Sequence, residues 1–283
     1  MPTTINLLFI TENISREIIQ LAKLLDKRGV RVTIAGLKNE NIQYITDEHF
    51  IRLHKMFGRL LGVGKLSGFK YAVPFDEAST NIARRANLKK IPFKDKVGID
   101  LSIWSPKAIS GNRQTMILQE YNILPHQRLI LVVGATEKDI SGLVQATTTL
   151  DKKDYIIAIY GTLKNRAAIR ASRKIRRHSN IMYIGRTNDL PTIMRASFAI
   201  VSFSEKDEFH KTAAIAMGRT TAWRGMGARP NIEIDGGDYA ATLKKILSIT
   251  MDARERFEDE NLARAVNFGC GRQIEKIMNT IRQ

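Results

Sequence analysis

The densest cluster of reactive side chains in the sequence is a run of cations with no acid among them. Its seven members are Lys164, Arg166, Arg170, Arg173, Lys174, Arg176 and Arg177. The chain as a whole is also basic, because 45 Lys and Arg outnumber 28 Asp and Glu and give a formal charge of +17. A charge of this size favours polyanionic partners such as lipid head groups, nucleic acids or phosphorylated glycans. The run itself predicts either a solvated helix face or a surface that binds such a partner.

A second basic segment lies among apolar residues nearer the N-terminus. Phe50, Leu53, Phe57 and Leu60 recur at helical spacing, which predicts a helix over residues 47–61. A basic helix that also contains aromatic residues suits a membrane surface, and a solvated helix face is the alternative. We therefore expect an anionic surface to contact cations of both segments. These residues are Arg52, Lys55, Arg59, Arg170, Arg173, Lys174 and Arg177.

Other kinds of chemistry are excluded by what the sequence lacks. Cys270 is the single cysteine, so the chain has no internal disulfide and no multi-cysteine zinc site. No Asp-x-Asp motif is present to hold a metal, and we expect neither a metal nor a cofactor. No run of about 18 apolar residues predicts a membrane span. We expect a protein of the reducing cytoplasm that binds peripherally, if at all, to the inner face of a membrane.

The N-terminal part of the sequence predicts one strand–helix–strand unit. Apolar residues form strands over 5–10 and 30–35, and helical spacing covers residues 15–28 between them. Ser15 is suited to cap that helix and Gly29 to end it. Parallel strands joined through a helix form a sheet with helical cover.

From Arg128 onward, strands and helices alternate regularly. The predicted strands are 129–133, 155–160, 181–184 and 198–203, and the predicted helices are 140–150, 164–177, 189–196 and one beginning at 212. This alternation is typical of an open doubly wound sheet. We predict an N-terminal domain over 1–103 and a C-terminal domain over 104–283. The last helical stretch, 253–282 with an interruption at 268–271, is expected to return toward the N-terminal domain.

Several segments, taken in order, resemble the nucleotide-sugar-binding domain of glycosyltransferase family 4. The resemblance covers residues 122–237 and adds residues 15–35 and 96–100. The matching segments are Leu129–Gly134, Glu137–Lys138, Asn180–Leu190, Ala196–Ser204, Glu208–Phe209 and Ala216–Arg219. It implies the GT-B fold, in which two Rossmann-type doubly wound domains face a cleft, here with a shortened N-terminal domain.

The resemblance also implies an activity and a set of site residues. The protein would move a sugar from a nucleotide-diphosphate donor to a glycan or lipid-linked acceptor without a metal. Gly134 would let the donor approach the backbone, and Lys138 would neutralise the diphosphate. Glu208 would accept hydrogen bonds from the donor sugar, as the first of two family glutamates with seven residues between them. Gly185 and Arg186 complete the expected donor site.

The departures from the family pattern support a second hypothesis. Ile215 precedes Ala216-Met217 where the family has its second glutamate, Ala135 replaces a usual arginine, and the N-terminal Gly-Gly loop is absent. These differences are compatible with a catalytically degenerate relative that serves as a binding or scaffold subunit. Nucleic-acid binding through the basic helix ranks third, since no aromatic stacking platform or helix-turn-helix signature accompanies the charge.

Overall fold

The computed structural model divides the chain into two compact units. They comprise Met1–Asp100 with Gly269–Gln283, the N-terminal unit, and Leu101–Phe268, the C-terminal unit. Within them the structure describes a defined set of residues. These are 5–13, 16–38, 50–52, 54–56, 59–61, 66, 68–91, 98–150, 154–161, 170, 173–204, 207–224, 228–234 and 237–282.

Each unit contains a parallel sheet with intervening helices. In chain order the strands are β1 (Ile5–Asn13), β2 (Val30–Lys38), β3 (Phe50–Arg52), β4 (His54–Met56), β5 (Arg59–Leu61), β6 (Tyr71–Pro74), β7 (Lys89–Lys90), β8 (Arg128–Val133), β9 (Tyr155–Tyr160), β10 (Ile181–Gly185), β11 (Ala199–Ser202), β12 (Thr220–Trp223) and β13 (Ile232–Glu233). The helices are α1 (Arg16–Asp26), α2 (Glu77–Arg85), α3 (Gly111–Glu120), α4 (Glu137–Thr147), α5 (Leu190–Ala196), α6 (Glu208–Ala216), α7 (Tyr239–Leu247), α8 (Met251–Ala265) and α9 (Gly271–Arg282).

The N-terminal unit is a parallel sheet with apolar residues on both faces. Its strand order is β3-β2-β1-β6-β7. Successive residues of β1 point to opposite faces, so Leu7 and Phe9 pack with α1 and α9 while Leu8 and Ile10 pack with α2. The predicted β1–α1–β2 unit is confirmed. Gly29 ends α1 as expected, with a φ of +81° that few other residues adopt.

The helix predicted over residues 47–61 is wrong in the part that the structure describes. Residues 50–52 form β3, an edge strand paired with β2, and β4 and β5 form an antiparallel hairpin in which Met56 pairs with Arg59. Gly58 lies between those two residues and disfavours a helix by about 1 kcal/mol relative to alanine. Short apolar runs can match the period of a helix by chance, because a short window fits both the helical and the strand period. Arg52, Lys55 and Arg59 lie on these strands, and their side chains are outside the described part.

The C-terminal unit is a doubly wound sheet with strand order β10-β9-β8-β11-β12-β13. Every strand pair in it is parallel. The chain leaves β8 in one direction to β9 and β10, then returns to place β11 on the other side of β8. This reversal of strand order is a topological switch point, and it lies between β8 and β11.

The strands predicted after Arg128 are confirmed, and two predicted helices have shifted boundaries. Helix α4 spans Glu137–Thr147 rather than residues 140–150. Helix α6 begins at Glu208 rather than at Thr212, because Glu208 in the first turn favours the helix N-terminus and Thr212 is not needed as a cap. Of the basic helix predicted over 164–177, Arg170 and residues 173–175 are helical and the rest of 162–172 lies outside the description. No described helix is long and apolar enough to cross a bilayer.

Candidate functional site

The carboxyl ends of the C-terminal strands form one edge of the sheet. The pairing register places Gly185, Tyr160, Val133 and Ser202 in one row along that edge, on β10, β9, β8 and β11. Neighbouring strands are about 4.8 Å apart, so the row is about 14 Å long. Ligands of open α/β sheets bind outside this edge at the switch point, which here lies beside Val133 and Ser202.

Gly134 follows β8 directly at the switch point and has a backbone that suits glycine. Its φ is +66°, a left-handed conformation that costs other residues about 1–2 kcal/mol. A Cβ on Gly134 would lie 2.7 Å from Asp207 Oδ2 and 3.1 Å from Ser204 Cβ. A Cβ at this position would therefore displace the carboxylate of Asp207, which lies close to Gly134.

Asp207 and His210 form a pair on the other side of the switch point. Asp207 precedes α6 as its N-cap, and its Oδ1 lies 2.6 Å from His210 Nδ1. The Tyr160 ring meets His210 edge-on, with 5.4 Å between ring centroids. His210 Nε2 is buried and has no hydrogen-bond partner among the described residues. The imidazole thus fixes one oxygen of the carboxylate while the other oxygen faces Gly134.

Helix α4 begins shortly after Gly134, and a capping box satisfies backbone N–H groups at its N-terminus. Thr136 accepts a hydrogen bond from the Asp139 backbone, and Asp139 Oδ2 accepts from the Thr136 N–H at 2.7 Å. Asp139 Oδ1 accepts from the Tyr239 hydroxyl at 2.9 Å. Burial and this carboxylate raise the pKa of Tyr239 to about 12. Lys138 projects from the same turn and is exposed, so it is free to reach an anion in solvent.

Gly185 and Arg186 lie at the end of β10, two strands away from Gly134. Gly185 also has a φ of +66°, but a Cβ there would have only the Tyr183 ring within reach, at 3.9 Å. Tyr183 donates to the Gly161 carbonyl at 2.7 Å, and Gly161 donates to the Gly185 carbonyl at 3.1 Å. These bonds join Gly161, directly after β9, to the end of β10, and Arg186 is exposed beside them.

Two neighbouring carboxylates, Asp207 and Glu208, lie at the start of α6. Glu208 is the first residue of α6 and half-buried. Ile215 is fully buried, so its position belongs to the core and not to a ligand.

The predicted residues fall into separate groups. Gly134, Lys138, Gly185, Arg186 and Glu208 all lie near the carboxyl edge of one sheet. Arg170, Arg173, Lys174 and Arg177 are exposed in the same unit, and Lys174 Nζ donates to Ser141 on α4 at 2.7 Å. Arg52, Lys55 and Arg59 belong to the other unit.

Sequence reasoning missed Asp207 and His210. An acid followed three residues later by a histidine, at the start of a helix that follows a buried strand, is the signal that could have found them. Within the described residues, no three His, Cys, Asp or Glu side chains cluster closely enough to hold a metal ion.

Comparison with known proteins shows the fold. No protein-family model and no curated protein matches the sequence, whereas solved structures match over nearly the whole chain. A glycosyltransferase from Rickettsia africae ESF-5 is 13% identical with a TM-score of 0.75, and the match covers 98% of each chain. Anabaena Alr3699/HepE in complex with UDP and glucose is 10% identical with a TM-score of 0.72, covering 98% of this chain and 99% of that one. WaaG, a glycosyltransferase involved in lipopolysaccharide biosynthesis, is 14% identical with a TM-score of 0.65, covering 97% and 99%. These neighbours are GT-B glycosyltransferases, and the chain has a GT-B-like fold of two Rossmann-type domains.

Proposed function

We propose that the protein is a glycosyltransferase that binds a nucleotide-diphosphate sugar at the switch point of its C-terminal sheet. The observation that carries this proposal is the contact between Gly134 and Asp207. Gly134 follows β8 in a left-handed conformation and has no side chain to block the carboxyl edge of the sheet. The carboxylate of Asp207, which His210 holds in place, lies beside it. The neighbours with this fold include a protein whose crystals hold UDP-glucose.

In this proposal Asp207 binds the sugar. A carboxylate accepts hydrogen bonds from neighbouring hydroxyl groups, and a partner on one oxygen leaves the other free to do so. The contact between His210 and Asp207 Oδ1 supports this role. Glu208, next in the chain, is the second candidate for contacts with the donor hydroxyls.

The diphosphate would lie on the side of Lys138 and Arg186, away from the carboxylates. Both side chains are exposed, and both follow strands that end at the same edge. Their positive charge would stabilise the diphosphate as it leaves, so that positioning and electrostatics perform the reaction without a metal. Ala135 provides no cation, which leaves Lys138 as the main charge after β8.

Three finer assignments belong to the same proposal. We assign the protein to a shortened branch of glycosyltransferase family 4, because its motifs follow the family order. The acceptor would be a glycan or a lipid-linked sugar on the cytoplasmic face of a membrane. The exposed cations of the basic segment, Arg170, Arg173, Lys174 and Arg177, would hold the protein to that anionic surface.

Calorimetric titration with UDP, GDP and UDP-glucose tests the proposal. We expect Asp207→Asn to weaken UDP-glucose binding about tenfold or more and to leave UDP binding nearly unchanged, because the carboxylate contacts only the sugar. Lys138→Ala should weaken both ligands, since both carry the diphosphate. Comparison with Glu208→Gln shows which of the two neighbouring carboxylates, Asp207 or Glu208, contacts the sugar.

Lys245→Ala is the matched control for Lys138→Ala, because Lys245 is exposed on α7 in the same unit. It should leave both affinities unchanged. Absence of binding to any nucleotide diphosphate would refute the proposal. Donor binding without transfer to any acceptor or to water would instead identify a degenerate subunit.

A further inference from the structure

Four arginines gather at the amino edge of the C-terminal sheet, opposite the candidate donor site. Arg128 begins β8, Arg219 directly precedes β12, Arg195 lies in the last turn of α5 and Arg254 lies on α8. We call them the arginine cluster. None of the four belongs to the residues proposed to bind the donor.

One carboxylate serves the cluster. Glu258 Oε1 accepts from Arg195 Nη1 at 2.6 Å, and Glu258 Oε2 lies 3.7 Å from Arg219 Nη1. Among the described residues, no other acid forms an ion pair with any of the four arginines. The cluster together with Glu258 therefore carries a formal charge of +3, and its side chains are partly or fully buried.

Phe198 brings the remaining two arginines together. The guanidinium carbon of Arg128 lies 4.5 Å from the centre of the Phe198 ring, and that of Arg254 lies 5.3 Å from it. Phe198 is 6% exposed. An aromatic ring attracts each cation, but it supplies no anionic acceptor between them.

Several donors of the cluster are buried without an acceptor. The Nε atoms of Arg195, Arg219 and Arg254 have no hydrogen-bond partner among the described residues, and Arg219 is only 4% exposed. Helix-end carbonyls satisfy other donors, as Arg195 donates to Met217 and Arg128 to Leu247. Buried guanidinium donors are normally paired, so these three are exceptions to the usual pairing.

Electrostatics agrees with this geometry. Burial, and after it the charges of Arg195 and Arg254, lower the pKa of the Arg219 guanidinium. Burial also lowers the pKa of Arg254, to which Arg195 and Arg128 contribute. Glu258 opposes both shifts without cancelling them. An added anion would relieve the repulsion that these directions report.

Of the four arginines, Arg128 lines a cavity. This cavity of about 330 Å³ is lined by His126, Arg128, Leu150, Asp154, Tyr155 and Leu247. Asp154 is the acid of this lining, so an anion in the cavity would be held on the side of Arg128 and His126. The volume is ample for a phosphate group.

We propose that the arginine cluster binds an oxyanion of the phosphate class, which enters through the cavity beside Arg128. Planar guanidinium groups match phosphate oxygens with paired donors, and several of them around one anion make a specific site. The anion is either free in solution or carried by a lipid head group. The site is independent of the proposed transferase activity, because it uses other residues at the opposite edge.

The test measures thermal unfolding while inorganic phosphate replaces chloride at constant ionic strength. We expect the melting temperature of the wild type to rise with phosphate and to saturate. Arg254→Gln should weaken the apparent phosphate affinity at least tenfold. Arg256→Gln is the matched control, because Arg256 is exposed on the same helix and removes the same charge. Arg128→Gln serves as a second variant if Arg254→Gln does not fold.

Lys138→Ala separates this site from the donor site. Phosphate stabilisation that survives in Lys138→Ala and disappears in Arg254→Gln supports the proposal, whatever the fate of the transferase assignment. No phosphate-dependent rise in the wild type, or an equal rise in Arg254→Gln and Arg256→Gln, would overturn it.

Co-sedimentation with vesicles of phosphatidylglycerol and of phosphatidylcholine distinguishes the two sources of the anion. Binding to phosphatidylglycerol that is lost in Arg254→Gln and kept in Arg256→Gln assigns the site to a lipid head group. Equal vesicle binding by the two variants, together with the difference in phosphate affinity, assigns it to a free anion.

Discussion

At the two edges of the C-terminal sheet, side chains of opposite charge lie at the helix ends. At the carboxyl edge helices begin, and acids such as Asp139, Asp207 and Asp238 lie at their N-termini. At the amino edge helices end, and Arg128 and Arg195 donate to the last carbonyls of α7 and α6. The helix dipole favours anions at the first kind of end and cations at the second. The sign of each edge therefore follows from the fold and is not by itself a sign of function.

The acids named at the carboxyl edge and the arginines of the amino edge differ in how completely they are paired. Asp139 is bound by Thr136 and Tyr239, and Asp207 by His210. At the amino edge three arginine Nε atoms have no acceptor among the described residues. Arg254 also departs from the dipole rule, because it lies four residues into α8, near its N-terminus. Unpaired positive charge beyond what the helix dipoles favour is thus a better indication of a ligand than the sign of the charge.

The largest effect that we predict tests the unpaired positive charge of the arginine cluster at the amino edge. Glu258→Gln would leave Arg195 and Arg219 without their shared carboxylate, and we expect a loss of about 3 kcal/mol in the free energy of unfolding. Urea denaturation measures it. Glu260→Gln, exposed on the same helix, is the control and should change stability by less than about 0.5 kcal/mol. Equal losses in the two variants would show that the arginines do not depend on Glu258.

An intermediate effect is expected at the carboxyl edge, where two glycines share a φ of +66°. Gly185→Ala should cost about 1 kcal/mol, for the backbone alone. Gly134→Ala should cost about 2 kcal/mol, because its Cβ also meets Asp207 Oδ2. Denaturation of both variants compares the two positions directly. If Asp207→Ala does not reduce the cost at Gly134, the carboxylate is not what fills that space.

The smallest effect concerns the bond that holds the start of α4. Tyr239→Phe should cost about 1 kcal/mol at neutral pH through the lost hydrogen bond to Asp139. The folded pKa of Tyr239, about 12, lies above its ordinary value of 10. The stability that the hydroxyl provides is therefore complete below pH 10 and lost as the pH rises toward 12. The gap between wild type and Tyr239→Phe, measured by denaturation across this range, should close. A gap independent of pH would contradict the raised pKa.

The sequence predicts the C-terminal sheet well and its site only in part. Strands β8 and β9 are runs of mostly apolar residues, so their composition alone places them. The return of β11 to the side of β8 depends on pairing between distant segments, which no local pattern reveals. For the same reason, nothing near Gly134 in the sequence indicates that Asp207 will lie against it.

An error in the sequence analysis arose where one local pattern fitted two structures. Phe50 and Leu60 fit a helix, yet the structure places them in short strands on either side of Gly58. The role of Glu208 stays a prediction. The geometry at Gly134 adds a second carboxylate, Asp207, at the same edge of the sheet.

Helix α9 has a consequence for how the protein is made. Its residues Ile274, Ile277, Met278 and Ile281 belong to the same core as α1 and β1, so the N-terminal unit is built from both ends of the chain. During synthesis the first hundred residues leave the ribosome well before this helix does. The central unit, which is continuous, can finish folding while the first sheet still has an uncovered apolar face. A chaperone that shields such a surface during translation would find its target in the earliest part of the nascent chain.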